Sequence, residues 1–178
     1  GLKVDGTTIN FTLTNSTVKN NWADTRGGGI SINRANSIIT NCDFNNNRAG
    51  SDVGTGGAGG AMLFDVQDNV SLPTMTGVVT NTVIDNNLAQ SSVANTFGGG
   101  VIVRAMDATI TFDGCTITNN TSNATNASFS SFAGGLYNQQ AHMILKNSSV
   151  SNNVSTLFHA GIRNLASTGG AATLDIMN

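Results

Sequence analysis

The chain has 178 residues with 8 Lys and Arg, 10 Asp and no Glu, so its formal net charge is −2. Only 10% of the residues are charged, against about 25% in an ordinary soluble domain, and so few basic residues exclude a nucleic-acid-binding surface. No apolar run approaches the ~20 residues of a membrane-spanning helix, and no targeting signal is visible at the start. The many Asn, Thr and Gly residues disfavour helices.

One segment occurs five times: FTLTNSTVKNN (11–21), IITNCDFNNN (38–47), VVTNTVIDNN (78–87), ITFDGCTITNN (110–120) and MILKNSSVSNN (143–153). Each copy has apolar residues eight and three positions before its last Asn, and a small residue five positions before it. Mostly polar residues fill the places between, and this alternation is typical of half-buried strands. The inward columns are Leu13, Ile39, Val79, Phe112 and Leu145; Ser16, Cys42, Thr82, Cys115 and Ser148; and Val18, Phe44, Ile84, Ile117 and Val150.

The alternation slips by one residue between the first two columns, which indicates a bend between two short strands. The bend position holds Asn15, Asn41, Asn81, Gly114 and Asn147, and Asn and Gly tolerate left-handed backbone. Each copy also ends on an Asn pair. Because an Asn amide carries a donor and an acceptor, we expect stacked Asn side chains to bond each other and the turn backbone.

A third strand is predicted in every repeat, beginning after Gly or Ala at Ile30, Met62, Val101, Leu136 and Ile162. Leu2 or Val4 fits the same strand near the start of the chain. The stretches that precede the third strand differ in length: 49–57, 90–97 and 121–132 are long, whereas 23–27 and 155–158 are short. Their Gly, Ser, Ala, Asn and Thr content predicts loops. A second insertion, at about 67–77, holds the only Pro.

These repeats predict an all-β fold, namely a parallel β-helix of about five coils with three short strands each and variable loops on one edge. Residues 1–178 form one such segment, in which like residues stack at the strand spacing of about 4.8 Å. A fold of βαβ units would need crossover helices, and no stretch has their length and period. An antiparallel sandwich would not require the columns to match from repeat to repeat.

The paired motifs resemble the polymorphic outer-membrane protein repeats of bacterial autotransporter adhesins, GG[ALVI]x and FxxNxA. GGGI (27–30), GGAM (59–62), GGGV (98–101) and GGLY (134–137) are similar to the first motif, and FNNNRA (44–49) matches the second. The resemblance implies a right-handed parallel β-helix of the pectin-lyase-like superfamily. It also implies a non-catalytic structural and adhesive stalk, outside the cell, whose loops bind host or surface glycans or proteins.

In such proteins a barrel or anchor elsewhere holds the β-helix at the outer membrane, and none is present in this sequence. No polar cap is evident at either end, so we expect incomplete coils and a segment of a longer surface protein. Uncapped strand edges also favour self-association, end to end or side by side.

An alternative function is a polysaccharide lyase or hydrolase, because parallel β-helices also carry such enzymes and these use clustered carboxylates. Asp43 and Asp85 face outward on adjacent coils, two positions out of register. The alternative interpretation is two solvated surface acids. Asp65 and Arg104 share a column and predict a surface ion pair, whereas Asp65 and Asp68 with Asp107 in the next coil form a candidate cation site.

The remaining chemistry-bearing residues predict no site. His142 and His159 lie in different elements, and a metal centre needs three or four ligands, so neither a metal nor a cofactor is expected. Cys42 and Cys115 share an inward column two coils apart, about 9.6 Å by strand spacing. That distance is too long for a disulfide, so both residues are predicted to be buried free thiols.

Phe97, Phe132 and Phe158 each lie four residues before the first apolar residue of a third strand. This spacing predicts an internal aromatic stack; the alternative is a row of exposed rings that grip sugar. Phe129 and Trp22 lie in or near the variable loops and are further candidates for an exposed patch.

Ice binding is a further alternative, because some Thr-rich β-solenoids perform it through a flat, regular Thr array. Two outward columns are available for such an array. They are irregular, which disfavours this function: Thr17, Asp43, Val83, Thr116 and Ser149; and Lys19, Asn45, Asp85, Thr118 and Ser151.

Overall fold

The computed structural model describes residues 1–7, 9–50, 56–66, 74–166 and 170–178. All regular structure in these residues is β-strand, and parallel sheets pair the strands of successive repeats in register. The described part contains no helix long and apolar enough to cross a membrane. This arrangement is consistent with a β-helix solenoid.

The three strands predicted for each repeat are present, and each pairs with its equivalents to form a sheet. The first-strand sheet contains Asn10–Thr14, Asn36–Thr40, Thr76–Thr80, Thr109–Asp113, His142–Lys146 and Thr173–Met177. The second-strand sheet contains Thr17–Lys19, Asp43–Asn45, Val83–Asp85, Thr116–Thr118 and Ser149–Ser151. The third-strand sheet contains Leu2–Asp5, Ile30–Asn33, Met62–Asp65, Val101–Arg104, Leu136–Gln139 and Ile162–Leu165.

Each repeat has a fourth short strand, so the prediction of three strands was wrong. These strands follow the Asn pairs and form the extra-strand sheet: Trp22–Ala23, Arg48–Ala49, Leu88–Ser91, Thr121–Ala124 and Val154–Ser155. Thr121–Ala124 lies within a stretch predicted as a loop, and the other four overlap such a stretch by one or two residues. Runs this short show no alternation that would predict a strand. A further parallel pair, Thr96–Phe97 and Ser131–Phe132, precedes two of the third strands. Much of two predicted loops, residues 51–55 and 67–73, lies outside the described residues.

The predicted inward columns are confirmed and fill the main hydrophobic core. Phe44 pairs with Ile84, Ile84 pairs with Ile117, and all three side chains are fully buried. The rings of Phe64 and Phe112 meet edge to face at 6.4 Å, which joins the third-strand sheet to the first-strand sheet. Burial of these columns removes apolar surface from water, the main favourable contribution to folding.

The small inward column has a role beyond filling space, since its members donate to the carbonyl two residues earlier in the chain. The Thr82 hydroxyl donates to Thr80 at 2.9 Å, and the Cys42 thiol donates to Thr40 at 3.2 Å. Cys42 and Cys115 are buried free thiols, as predicted. Burial raises the pKa of the Cys115 thiol above its ordinary value.

The predicted bends have left-handed backbone. Their φ angles run from 44° at Asn147 to 64° at Gly114. The first member of every Asn pair is also left-handed, with φ between 53° and 60° at Asn20, Asn46, Asn86, Asn119 and Asn152. The chain therefore turns both corners by using the residue types that tolerate this conformation best.

The second members of the pairs form one hydrogen-bonded column, the Asn ladder: Asn21, Asn47, Asn87, Asn120 and Asn153. Each side-chain Nδ2 donates to the Oδ1 of the next member, at 2.9–3.0 Å. The Oδ1 of Asn87 also accepts from the Asn47 backbone at 2.9 Å, and the Nδ2 of Asn87 donates to the Phe44 carbonyl at 2.9 Å. These bonds satisfy buried polar groups at the corner, as the sequence predicted.

Candidate functional site

The carboxylate pair proposed for catalysis occupies the positions that the sequence predicted. Asp43 pairs with Val83, and Asp85 pairs with Asn45, so the acids lie two positions apart on adjacent strands. Side-chain amides hold the Asp85 carboxylate: Asn45 donates to it at 3.3 Å and Asn119 donates at 2.8 Å. Asp85 therefore belongs to a polar row along the second-strand sheet.

The predicted cation site lies only in part within the described residues. Both Asp65 oxygens accept hydrogen bonds from Arg104, at 3.1 and 2.7 Å, while Asp68 lies outside the described residues. The described chain contains no group of three His, Cys, Asp or Glu residues that could hold a metal. The Nε2 of His142 lies 2.8 Å from the Asp175 carboxylate, and His159 has left-handed backbone with φ of 57°.

A second apolar cluster lies outside the main core, on the outer face of the third-strand sheet. Leu63, Ile102 and Tyr137 pair in register across this sheet. They alternate with residues of the main core and therefore point away from it. Tyr137 is only 3% exposed. Burial raises the pKa of its phenol, against the opposing influence of Arg163 and Arg104.

The predicted aromatic stack exists, but it packs on this outer cluster, so the prediction that it is internal was wrong. We call Phe97, Phe132 and Phe158 the aromatic ladder. Adjacent rings are nearly parallel, with centroids 5.4 and 5.3 Å apart, and Phe158 is 45% exposed. The chain turns back over the outside of the third-strand sheet before each third strand, and this return places the rings outside the core.

An arginine pair lies beside the ladder. The Arg104 guanidinium forms a two-pronged bond to Asp65, whose side chain is only 4% exposed. The predicted surface ion pair is thus largely buried on its acidic side. Arg26 lies 3.9 Å from the same carboxylate, beyond hydrogen-bond distance. Burial and the neighbouring Arg104 lower the pKa of Arg26, whereas Asp65 opposes this change.

Arg26 and Ala58 continue the column of the aromatic ladder. Arg26 pairs with Ala58, Ala58 with Phe97, and Phe132 with Phe158 through single parallel bridges. A cavity of about 270 Å³, which we call the notch, lies beside this column; its lining includes Arg26, Ala58, Phe97, Ile102 and Arg104. Ala58 itself is only 3% exposed. A second cavity, of about 370 Å³, also includes Arg26, together with Lys3 and Asp65.

The sequence also contains a signal for two residues that line the notch. Arg26 and Ala58 stand four residues before Ile30 and Met62, the same spacing that identified the three Phe residues. A spacing rule limited to aromatic residues does not include the Arg and Ala members of this column. The other predicted surface aromatics lie elsewhere: Trp22 is 60% exposed with the Arg48 guanidinium 5.1 Å from its ring centre, and Phe129 is half-buried.

The sequence matches no protein-family model, and it has no significant match among curated proteins or solved structures. The resemblance to autotransporter repeats therefore rests on the two short motifs.

Proposed function

We propose that the chain is a right-handed parallel β-helix of about five coils, and a structural and adhesive segment of a secreted or cell-surface bacterial protein. In this proposal an anchor outside the given sequence holds the segment at the outer membrane. The loops bind glycans or proteins of a host or a neighbouring surface. The resemblance of the GG[ALVI]x and FxxNxA motifs to autotransporter repeats is the source of the cellular setting.

One observation carries the proposal: the repeats keep the same buried columns while one edge varies. The Asn ladder continues through all five repeats. Between the extra strand and the aromatic ladder, however, the connection ranges from two residues, 156–157, to seven residues, 125–131. The constant buried columns maintain the fold, and the variable loops are free to bind, because loops on a rigid scaffold tolerate change.

The loop at 125–130 provides the test. Two backbone bonds hold its ends: Thr125 donates to Ser91 at 2.9 Å, and Thr96 donates to Ser130 at 2.9 Å. Replacing residues 126–129 with Gly-Gly keeps both anchoring residues. We expect a melting temperature within a few degrees of the parent and loss of binding to arrayed glycans or immobilised extracellular proteins. Val83→Thr, on the second-strand sheet, is the matched control and is expected to bind normally.

Two results would contradict the proposal. Unfolding of the loop variant would show that the loop supports the fold. Turnover of a polysaccharide, abolished by Asp43→Asn or Asp85→Asn, would instead assign a lyase or hydrolase function to the second-strand sheet.

A further inference from the structure

The outer face of the first-strand sheet carries a regular array of side chains. Along the central strands of this sheet the second and fourth residues are buried, so the first, third and fifth residues point outward. The middle outward column is β-branched in five consecutive strands: Thr12, Ile38, Val78, Thr111 and Ile144. Ile38 and Val78 are 51% and 40% exposed, so this column is open to solvent at its centre.

Hydroxyl and amide groups flank the β-branched column on both sides. The flanking columns are Thr14, Thr40 and Thr80 on one side and Asn10, Asn36, Thr76 and Thr109 on the other. The Thr76 hydroxyl donates to the Oδ1 of Asn36 at 3.1 Å, and the Nδ2 of Asn36 donates to the Oδ1 of Asn10 at 3.4 Å. Because β-branched side chains are also stiff at χ1, most groups of the array are held in fixed positions.

The array repeats in two directions. Neighbouring strands are about 4.8 Å apart, and successive outward residues of one strand are about 6.6 Å apart, which is twice the rise per residue. The pairing from Asn10–Thr14 to Thr109–Asp113 has no shift in register, so both spacings hold across four strands. The outward residues of these four strands include a single charged group, that of Asp113, at the end of its strand.

The size of the face argues against a protein as its partner. Six strands of five residues cover roughly 29 Å by 17 Å, or about 500 Å², whereas a stable protein interface buries about 800 Å² on each partner. The outward residues of the six strands include no Phe, Tyr or Trp, so a sugar ring has no aromatic face to stack on. A partner that repeats in two directions, as the array does, fits the face better than a single soluble molecule.

We propose that the outer face of the first-strand sheet binds ice. Its hydroxyl groups take the places of water oxygens in the surface layer of the crystal, whose repeats are similar in length to those of the array. The methyl groups of Ile38 and Val78 lie in the hollows between those oxygens and are removed from liquid water. The outward columns of the second-strand sheet lack this regularity, because Lys19, Asp43 and Asp85 interrupt them. The inference involves a different sheet from the loops and is independent of their proposed adhesive role.

Two measurements on the whole chain test the proposal. In thermal hysteresis, we expect the chain to lower the freezing point of ice below its melting point, by an amount that rises with protein concentration. In ice partition, we expect the chain to be enriched in slowly grown ice relative to the remaining liquid. Absence of both effects would overturn the proposal.

Variants of two equally exposed valines locate the site. Val78→Lys places a charged, flexible side chain at the centre of the array and should abolish both effects, whereas Val78→Thr keeps a β-branched side chain and should retain them. Val83→Lys is the matched control: Val83 is 42% exposed on the second-strand sheet, and both effects should be unchanged. Ile38→Lys repeats the disruption one strand away, and circular dichroism checks that each variant is folded.

The outcomes separate ice from other partners. Ice partition that survives in folded Val78→Lys or Ile38→Lys protein would overturn the proposal, and so would equal losses in Val78→Lys and Val83→Lys. A dimer detected by sedimentation and dissociated by Val78→Lys, with no partition of the parent chain into ice, would assign the face to a second copy and would also overturn it.

Discussion

At the scale of single residues, the Asn ladder and the left-handed corners account for many of the Asn residues in this chain. A ladder member needs a donor directed toward one neighbouring row and an acceptor directed toward the other, and the short amide supplies both. Asp lacks the donor, and Ala lacks both groups. Asn87 shows how many bonds one side chain makes. Its Nδ2 donates to the Oδ1 of Asn120 and to the backbone carbonyls of Asp85 and Phe44, and its Oδ1 accepts from the Nδ2 of Asn47. Substitution of a central member thus leaves several buried groups without partners.

Asn87→Ala should lower the free energy of unfolding by at least about 2 kcal/mol, because the Asn47 backbone N–H and the Phe44 carbonyl lose a partner in a buried site. Denaturant unfolding measures this change. Asn21→Ala is the matched control and should cost clearly less, since Asn21 is partly exposed and water replaces its bonds. Equal losses for the two variants would contradict the importance of burial along the ladder.

The buried phenol of Tyr137 makes the stability of the fold depend on pH in the alkaline range. Because burial raises its pKa in the folded state, the folded chain holds the phenolic proton more tightly than the unfolded chain does. Its contribution to stability is complete below the ordinary tyrosine pKa of about 10 and is lost as the pH rises through the folded-state value. Tyr137 is the only tyrosine, so tyrosinate absorbance reports it alone. Tyr137→Phe should flatten the alkaline fall in stability, and an absorbance midpoint at or below 10 would contradict the burial effect.

At the scale of elements, the sequence predicted the first, second and third strands, because two of them alternate and the third follows small residues. The extra strand escaped prediction, since strands such as Arg48–Ala49 are too short to show a period. The aromatic ladder was predicted as a stack but placed inside. Whether the rings lie on the core face or the outer face of the third-strand sheet depends on how the chain turns before each third strand. The spacing of residues along the sequence does not determine that turn. The ion pair of Asp65 and Arg104 was predicted, because the two residues share a column. The approach of Arg26 to Asp65 was not predicted, because it depends on the same turn of the chain.

The extra-strand sheet meets the glycines before the third strands at close range. A Cβ added to Gly99 would contact the backbone of Thr121 and the carbonyl of Gly134. Gly99→Ala should therefore lower the free energy of unfolding by about 2 kcal/mol or more, since backbone must move. Gly161→Ala is the matched control, because no atom lies within 4 Å of an added Cβ there, and its unfolding free energy should stay the same or rise slightly. Comparable losses in thermal unfolding would argue against this packing.

At the scale of the whole molecule, two systems of columns run side by side. The main core fills the space between the sheets with apolar side chains, while the outer cluster and aromatic ladder cover one outer face of the third-strand sheet. Arg26, Arg104 and Arg163 all lie on or beside that face, although the chain as a whole has a net charge of −2. The outer cluster and the variable loops therefore both lie outside the main core, and each can be altered while that core stays intact.

The stacking of successive repeats in register underlies every part of this account, and disulfide trapping tests it most directly. In a background with Cys42→Ser and Cys115→Ser, the pair Val83→Cys and Thr116→Cys joins residues that pair in register, about 4.8 Å apart. The pair Val83→Cys and Thr118→Cys is displaced by two residues on the same face, about 8 Å apart, which is too far for a disulfide. Mild oxidation should cross-link the first pair and leave the second reduced. Cross-linking of both pairs equally, or of the second alone, would contradict the register.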